Sequence, residues 1–137
     1  MSVDGEQPPA DLALSLDRDP GAPSVARAAI TGFCEGRDLS GAVLSTLLLL
    51  VSEIVTNAVV HADAPGSAPV RFAAWLHAAF VRVEVTDQGS GFTAQPRDPD
   101  RVDGGYGLFL LEKQARRWGV SRAQGTTVWF EVETSPA

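Results

Sequence analysis

In the run "SEIVTNAVVHA", residues 52–62, Glu53, Asn57 and His61 stand at intervals of four. On an α-helix that interval turns each side chain by about 40° from the last, so the three form one row. A carboxylate next to a neutral amide has a chemical use: Asn57 can offer an amide oxygen to Mg²⁺ while Glu53 accepts a proton. The same row also suits a solvated helix face, and spacing alone does not choose between the two. Asn is a mediocre residue for a helix interior and prefers caps and turns, which weakens the solvated reading slightly.

Two glycine-containing segments add to this row. In "DQGSGF", residues 87–92, Asp87 ends an apolar-polar alternation and Gly89 and Gly91 follow at alternate positions. Glycines there let the backbone turn sharply and admit a flat ligand, and the carboxylate can accept a hydrogen bond from an exocyclic amine. A plain Asp-Gly turn has the same composition. The dinucleotide pattern G-x-G-x-x-A is formally present through Gly89, Gly91 and Ala94, but it requires a helix to start at the glycines. Here Pro96 and Pro99 oppose one. In "GGYGLFLLEKQA", residues 104–115, Gly105 and Gly107 lead into a helix whose first turn has free N–H groups, a seat for phosphate or an ordinary helix entry.

Other chemistries find less support. The only lysine is Lys113 and no G-K-[ST] follows a glycine loop, which excludes a P-loop. One Cys and two His exclude a Cys/His metal cluster. A Ser-His-Asp triad lacks the G-x-S-x-G elbow that would mark it. His77, in "WLHAAF", is expected in or beside a turn.

The elements that must position these groups follow from periodicity. "LALSL" (12–16), "VRFAAWL" (70–76) and "FVRVEVTD" (80–87) read as strands, the last alternating Val81, Val83 and Val85 with Arg82, Glu84 and Thr86. A helix is expected from a Ser24 cap to about Gly36, and a second over roughly 40–62. In the second, Leu44, Leu47, Val51, Ile54, Val55, Ala58, Val59 and Ala62 form one apolar arc opposite Glu53 and Asn57. Residues 88–105 read as a loop, longer than compact domains keep without a functional reason. A third helix is expected over 106–118 with Gly119 at C′, then a hairpin of "VSRAQ" and "TTVWFEVE" around Gly125. Residues 1–10 read as a flexible tail and 11–134 as one domain. The order β-α-α-β-β-loop-α-β-β implies an α+β two-layer sandwich, with a mixed, mainly antiparallel sheet and its helices on one face.

With 137 residues the chain can bury a core, and its net charge of −6 argues against non-specific nucleic-acid binding. A single cysteine, Cys34, fits a reducing compartment. The acidic, proline-containing start is unlike a secretory signal, and the longest apolar run, 47–51, is short of a membrane span. A cytoplasmic protein is expected, with neither membrane nor nucleic acid as partner.

In this order, E-x-x-x-N-A-x-x-H-A at 53–62, D-x-G-x-G at 87–91, G-x-G-L at 105–108 and G-T at 125–126 resemble the Bergerat-fold ATPases: gyrase B, the heat-shock 90 chaperones, histidine kinases and mismatch-repair ATPases. The resemblance covers about residues 10–134. Its size and "SEIVTNAVVHA" are most similar to the anti-sigma-factor serine/threonine kinases. The resemblance implies ATP and Mg²⁺ as ligands. Asn57 would hold Mg²⁺, Glu53 would act as general base, and Asp87 would recognise the adenine amine with Thr126 supporting it. Gly89 and Gly91 would admit the base, and Gly105, Tyr106, Gly107 and Leu108 would close on the phosphates. His61 matches a position near the phosphates, and a structural helix-end histidine reads equally well there. Residues 92–104 would form a lid, short and without the lysine that larger members carry. Arg97, Arg101 and Arg116 are candidates to help neutralise phosphate.

By resemblance the chain is expected to bind a sigma factor, to phosphorylate a small antagonist protein, and to be a homodimer. The alternative is a non-catalytic, ATP-responsive interaction module. A histidine-kinase catalytic domain is less expected, because the residues before the first helix contain no histidine and are too few for a phospho-acceptor hairpin.

Overall fold

The computed structural model describes residues 8–60, 69–87, 109–122 and 125–134. Alternating side chains give five strands: β1 (Leu12–Leu16), β2 (Val70–Leu76), β3 (Phe80–Asp87), β4 (Arg117–Ser121) and β5 (Thr126–Glu133). They form one sheet in the order β1-β2-β3-β5-β4, and every pairing is antiparallel. Helices α1 (Ala22–Gly36) and α2 (Gly41–Val60) follow β1, and residues 109–114 are helical as well. The α+β expectation and the strands expected at 12–16, 70–76 and 80–87 are borne out.

The register aligns the valines of β3 with apolar residues on both sides. Val85 lies opposite Phe72 and Val128, and Val83 opposite Ala74 and Phe130. This face meets α1 and α2, and Leu16, Ile30, Leu47, Leu50, Val51, Val55, Phe72 and Phe130 join in one core. By length and composition alone α2 is apolar enough to cross a membrane over Gly41–Val59, which the short run 47–51 does not reveal. Its buried Leu47, Leu50, Val51, Ile54 and Val55 pack into that core, so here it is the core helix of the sheet.

Three local expectations are corrected. Helix α1 starts before Ser24: Gly21 is its N-cap, and the Asp19 carboxylate accepts the Gly21 N–H at 2.8 Å. Pro23 occupies the first turn, where its missing N–H costs nothing, and Ser24 is exposed without a capping role. In α2 the cap is Ser40, whose Oγ accepts the Val43 N–H at 3.2 Å.

The third helix does not reach 118. Helical residues end at 114, and β4 starts at Arg117, three residues before the expected "VSRAQ". Gly119 is therefore a strand residue opposite Trp129, while the left-handed glycine is Gly125, at φ 78° in the β4–β5 turn. The reason is non-local. Arg116 donates its backbone N–H to Glu131 O at 2.8 Å and Arg117 pairs with Glu131 in register, so the sheet edge outweighs the helix propensity of this run.

On the sheet's other face, Glu131 is 3% exposed and Arg82 Nη1 donates to its Oε2 at 3.0 Å. Arg116 Nε and Arg117 Nη1 stand 3.6 and 3.8 Å from its other oxygen, in ion-pair range but beyond a hydrogen bond. Trp75, also buried there, donates its indole N–H to Pro8 O at 2.7 Å. His77 lies in the β2–β3 turn, where its N–H donates to Phe80 O at 2.8 Å.

Candidate functional site

Asp87 closes β3. Its position in the alternation follows Val81, Val83 and Val85, so its carboxylate lies on the helix-covered face of the sheet rather than the open one. It is one of two charged residues buried among the described residues, the other being Glu131. Directly across the ladder stands Thr126, the first residue of β5. Opposed residues of an antiparallel pair share a face with Cβ atoms about 5 Å apart. The strand ends thus set a carboxylate and a half-buried hydroxyl side by side. The next pair, Thr86 and Thr127, faces the other way and joins hydroxyls at 2.8 Å.

Glu53 and Asn57 lie one turn apart on α2, both half-buried. The apolar arc beside them is as expected, widened by Leu50. Among the described residues neither side chain takes a hydrogen bond or ion pair, which leaves both available to a ligand. Oxygen donors of this kind suit Mg²⁺, which keeps most of its shell for phosphate oxygens and water. Among the described residues no three His, Cys, Asp or Glu side chains cluster as a metal site.

A residue that carries no motif ties these two places together. Arg18, in the connection between β1 and α1, forms an ion pair through Nη2 with Asp87 Oδ1. Its Nη1 donates to the Ala58 carbonyl, one residue after Asn57, at 3.4 Å. Both side chains of the ion pair are 9% exposed. The last turn of α2 and the end of β3 are therefore bridged by one guanidinium. Cations are favoured at a helix C-terminus, where carbonyls lack partners, so Arg18 serves the helix end and the carboxylate together. In the sequence Arg18 sits in "LDRDPG", which reads only as a turn.

Arg116 does not stand with Asp87 and Thr126. It is held by Glu131, with its guanidinium 4.7 Å from the centre of the Phe80 ring. Glu131 stands five residues along β5 from Thr126, about 17 Å away at strand spacing. His61, Gly89, Gly91, Gly105, Tyr106, Gly107 and Leu108 lie outside the described residues, as do Arg97, Arg101 and the expected lid at 92–104.

The arrangement has relatives. Twenty-two solved chains match it significantly. One is the crystal structure of the RsbU and RsbW domains of Rv1364c from Mycobacterium tuberculosis, at 23% identity and a TM-score of 0.70. That match covers 92% of this chain and 33% of the other, so this chain spans a third of that protein's length and shares its fold over that third. Comparison with curated protein sequences finds no significant match. The family model for the histidine kinase-like ATPase domain matches residues 16–132, from the last residue of β1 to the last but one of β5, and the chain belongs to that family.

Proposed function

We propose that this protein is an ATP-dependent serine/threonine kinase of the anti-sigma-factor type, which holds a sigma factor and phosphorylates a small antagonist protein competing for it. Membership of the histidine kinase-like ATPase family supports ATP as the nucleotide. The observation that carries the site is the pairing of buried Asp87 with Thr126 at one end of the sheet, next to the α2 turn that bears Asn57. The finer assignment rests on the "SEIVTNAVVHA" box and on fold likeness to a structure that includes an RsbW domain.

In this reading Asp87 accepts the adenine amine, and Thr126 supports it through its hydroxyl. Gly89 and Gly91 let the base approach the backbone, while Gly105, Tyr106, Gly107 and Leu108 cradle the phosphates at a helix start. Asn57 holds Mg²⁺, which when bound neutralises charge on the transferring phosphoryl group. Glu53 takes the proton of the incoming serine or threonine hydroxyl. His61 stands near the phosphates. The protein works in the cytoplasm as a homodimer, and its partners are proteins rather than nucleic acid or membrane.

The test is phosphate transfer from labelled ATP to a purified antagonist, with titration calorimetry of MgATP on the same samples. Glu53→Gln is expected to keep MgATP affinity and lose transfer by a hundredfold or more, the usual scale of general-base catalysis. Transfer at the wild-type rate by Glu53→Gln rules out the base assignment. Tight MgATP binding without any transfer by the wild type identifies an ATP-responsive binding module instead.

A further inference from the structure

Arg18 does not belong to any motif of the nucleotide site, yet its guanidinium sits on the carboxylate that the proposed function gives to the base. We propose that Arg18 is a gate on the base seat: it holds on Asp87 the place that an N–H donor of the nucleotide base takes, and nucleotide enters as the guanidinium withdraws. This rests on the reading that Asp87 receives the base.

Three observations carry it. The first is chemical likeness. An ionised carboxylate only accepts hydrogen bonds, and a guanidinium N–H and an exocyclic amine N–H are both planar donors that suit the same oxygen. The second is burial. Arg18 and Asp87 are each 9% exposed, so a base approaching Asp87 on the helix-covered face meets the guanidinium that packs there. The third is anchorage. Arg18 Nη1 also holds the Ala58 carbonyl, so among the described residues the guanidinium is tied to both β3 and α2 and does not leave by a simple rotation.

The exchange is unequal. Arg18 brings a full positive charge to Asp87, and a neutral base returns only a hydrogen bond. Parting a buried ion pair is among the more costly changes a site can undergo. The gate therefore lowers nucleotide affinity, and it sits in the connection that leads directly into α1.

The experiment is titration calorimetry of MgATP on the wild type, Arg18→Ala, Arg18→Lys and Asp87→Asn, with thermal melts of each without nucleotide. Arg18→Ala is expected to melt lower without nucleotide and yet bind MgATP at least tenfold more tightly. Methylguanidine at millimolar concentration should weaken MgATP binding to Arg18→Ala by refilling the place, and leave the wild type unchanged. Equal or weaker binding by folded Arg18→Ala overturns the gate and makes Arg18 a positioning residue for Asp87.

If Arg18→Ala does not fold, Arg18→Lys decides. A lysine keeps the charge but lacks the fork that spans Asp87 and Ala58 together, so binding about threefold tighter supports the gate and unchanged or weaker binding overturns it. Asp87→Asn separates the two ideas. If it keeps wild-type affinity, the base assignment fails and the gate with it. If it loses binding while the Arg18 variants show no gain, only the gate fails.

Discussion

Cys34 lies in α1 at 1% exposure, and burial pushes its thiol above the ordinary range, with nearby Arg37 pulling the other way by less. The folded state therefore favours the neutral thiol. Its contribution to stability is complete below the unfolded-state value, about pH 8.5, and is lost as pH rises from there through the raised folded value. Wild-type protein should lose denaturation free energy more steeply than Cys34→Ala between pH 8 and 10. Denaturant melts at four or five pH values check this, and parallel slopes would mean that burial does not hold the thiol neutral. At this scale the sequence was partly legible. Asp87 and Thr126 are visible as the ends of alternating runs, and alternation also decides which face each takes. Arg18 was not visible. Its partners, Asp87 and the Ala58 carbonyl, are 69 and 40 residues away, and no local pattern in "LDRDPG" points to them.

Gly119 shows how an element can be misread when its reason is long-range. As a residue after "QARRW" it resembles a helix stop, where any side chain would strain a left-handed turn. As a residue of β4 it lies under Trp129, and an added Cβ would come within 2.8 Å of the indole ring. That ring has the Arg82 guanidinium 4.1 Å from its centre, and Arg82 is itself tied to Glu131 and Glu84. Gly119→Ala must displace the indole from this packing, at a cost of about 1–3 kcal/mol, typical of overpacking. Urea denaturation gives the loss directly. A change below about 0.5 kcal/mol would mean that the ring moves aside freely. The strands β1 and β3 were legible because each alternates along its own length, and β2 because it is a short apolar run ahead of a turn. The bounds of β4 were not, because they depend on Arg117 meeting Glu131 across the sheet, and pairing of that kind leaves no periodic trace.

Taken whole, the molecule has a sheet with two unlike faces. One carries α1 and α2 and the apolar core, and the other carries arginines and glutamates with two tryptophans among them. The nucleotide site proposed here is at one end of the first face, where the core gives way to Asp87. The net charge of −6 means that the overall field repels a nucleotide polyphosphate, so binding depends on local contacts and on a cation that travels with the phosphates. Mg²⁺ should accordingly be needed for more than catalysis. A ligand that binds only the folded state stabilises it by about 2.7 kcal/mol when present at a hundred times its dissociation constant. For a chain of this size that corresponds to a rise in melting temperature of roughly 8–11 °C. MgATP should produce such a rise in the wild type. ATP with a chelator should produce much less, and Asp87→Asn should abolish the response to MgATP. Arg18→Ala should start from a lower melting temperature and rise further than the wild type at the same nucleotide concentration. Equal shifts with and without Mg²⁺ would show that the metal does not contribute to binding. The role of Asn57 would then have to be sought in the transfer step.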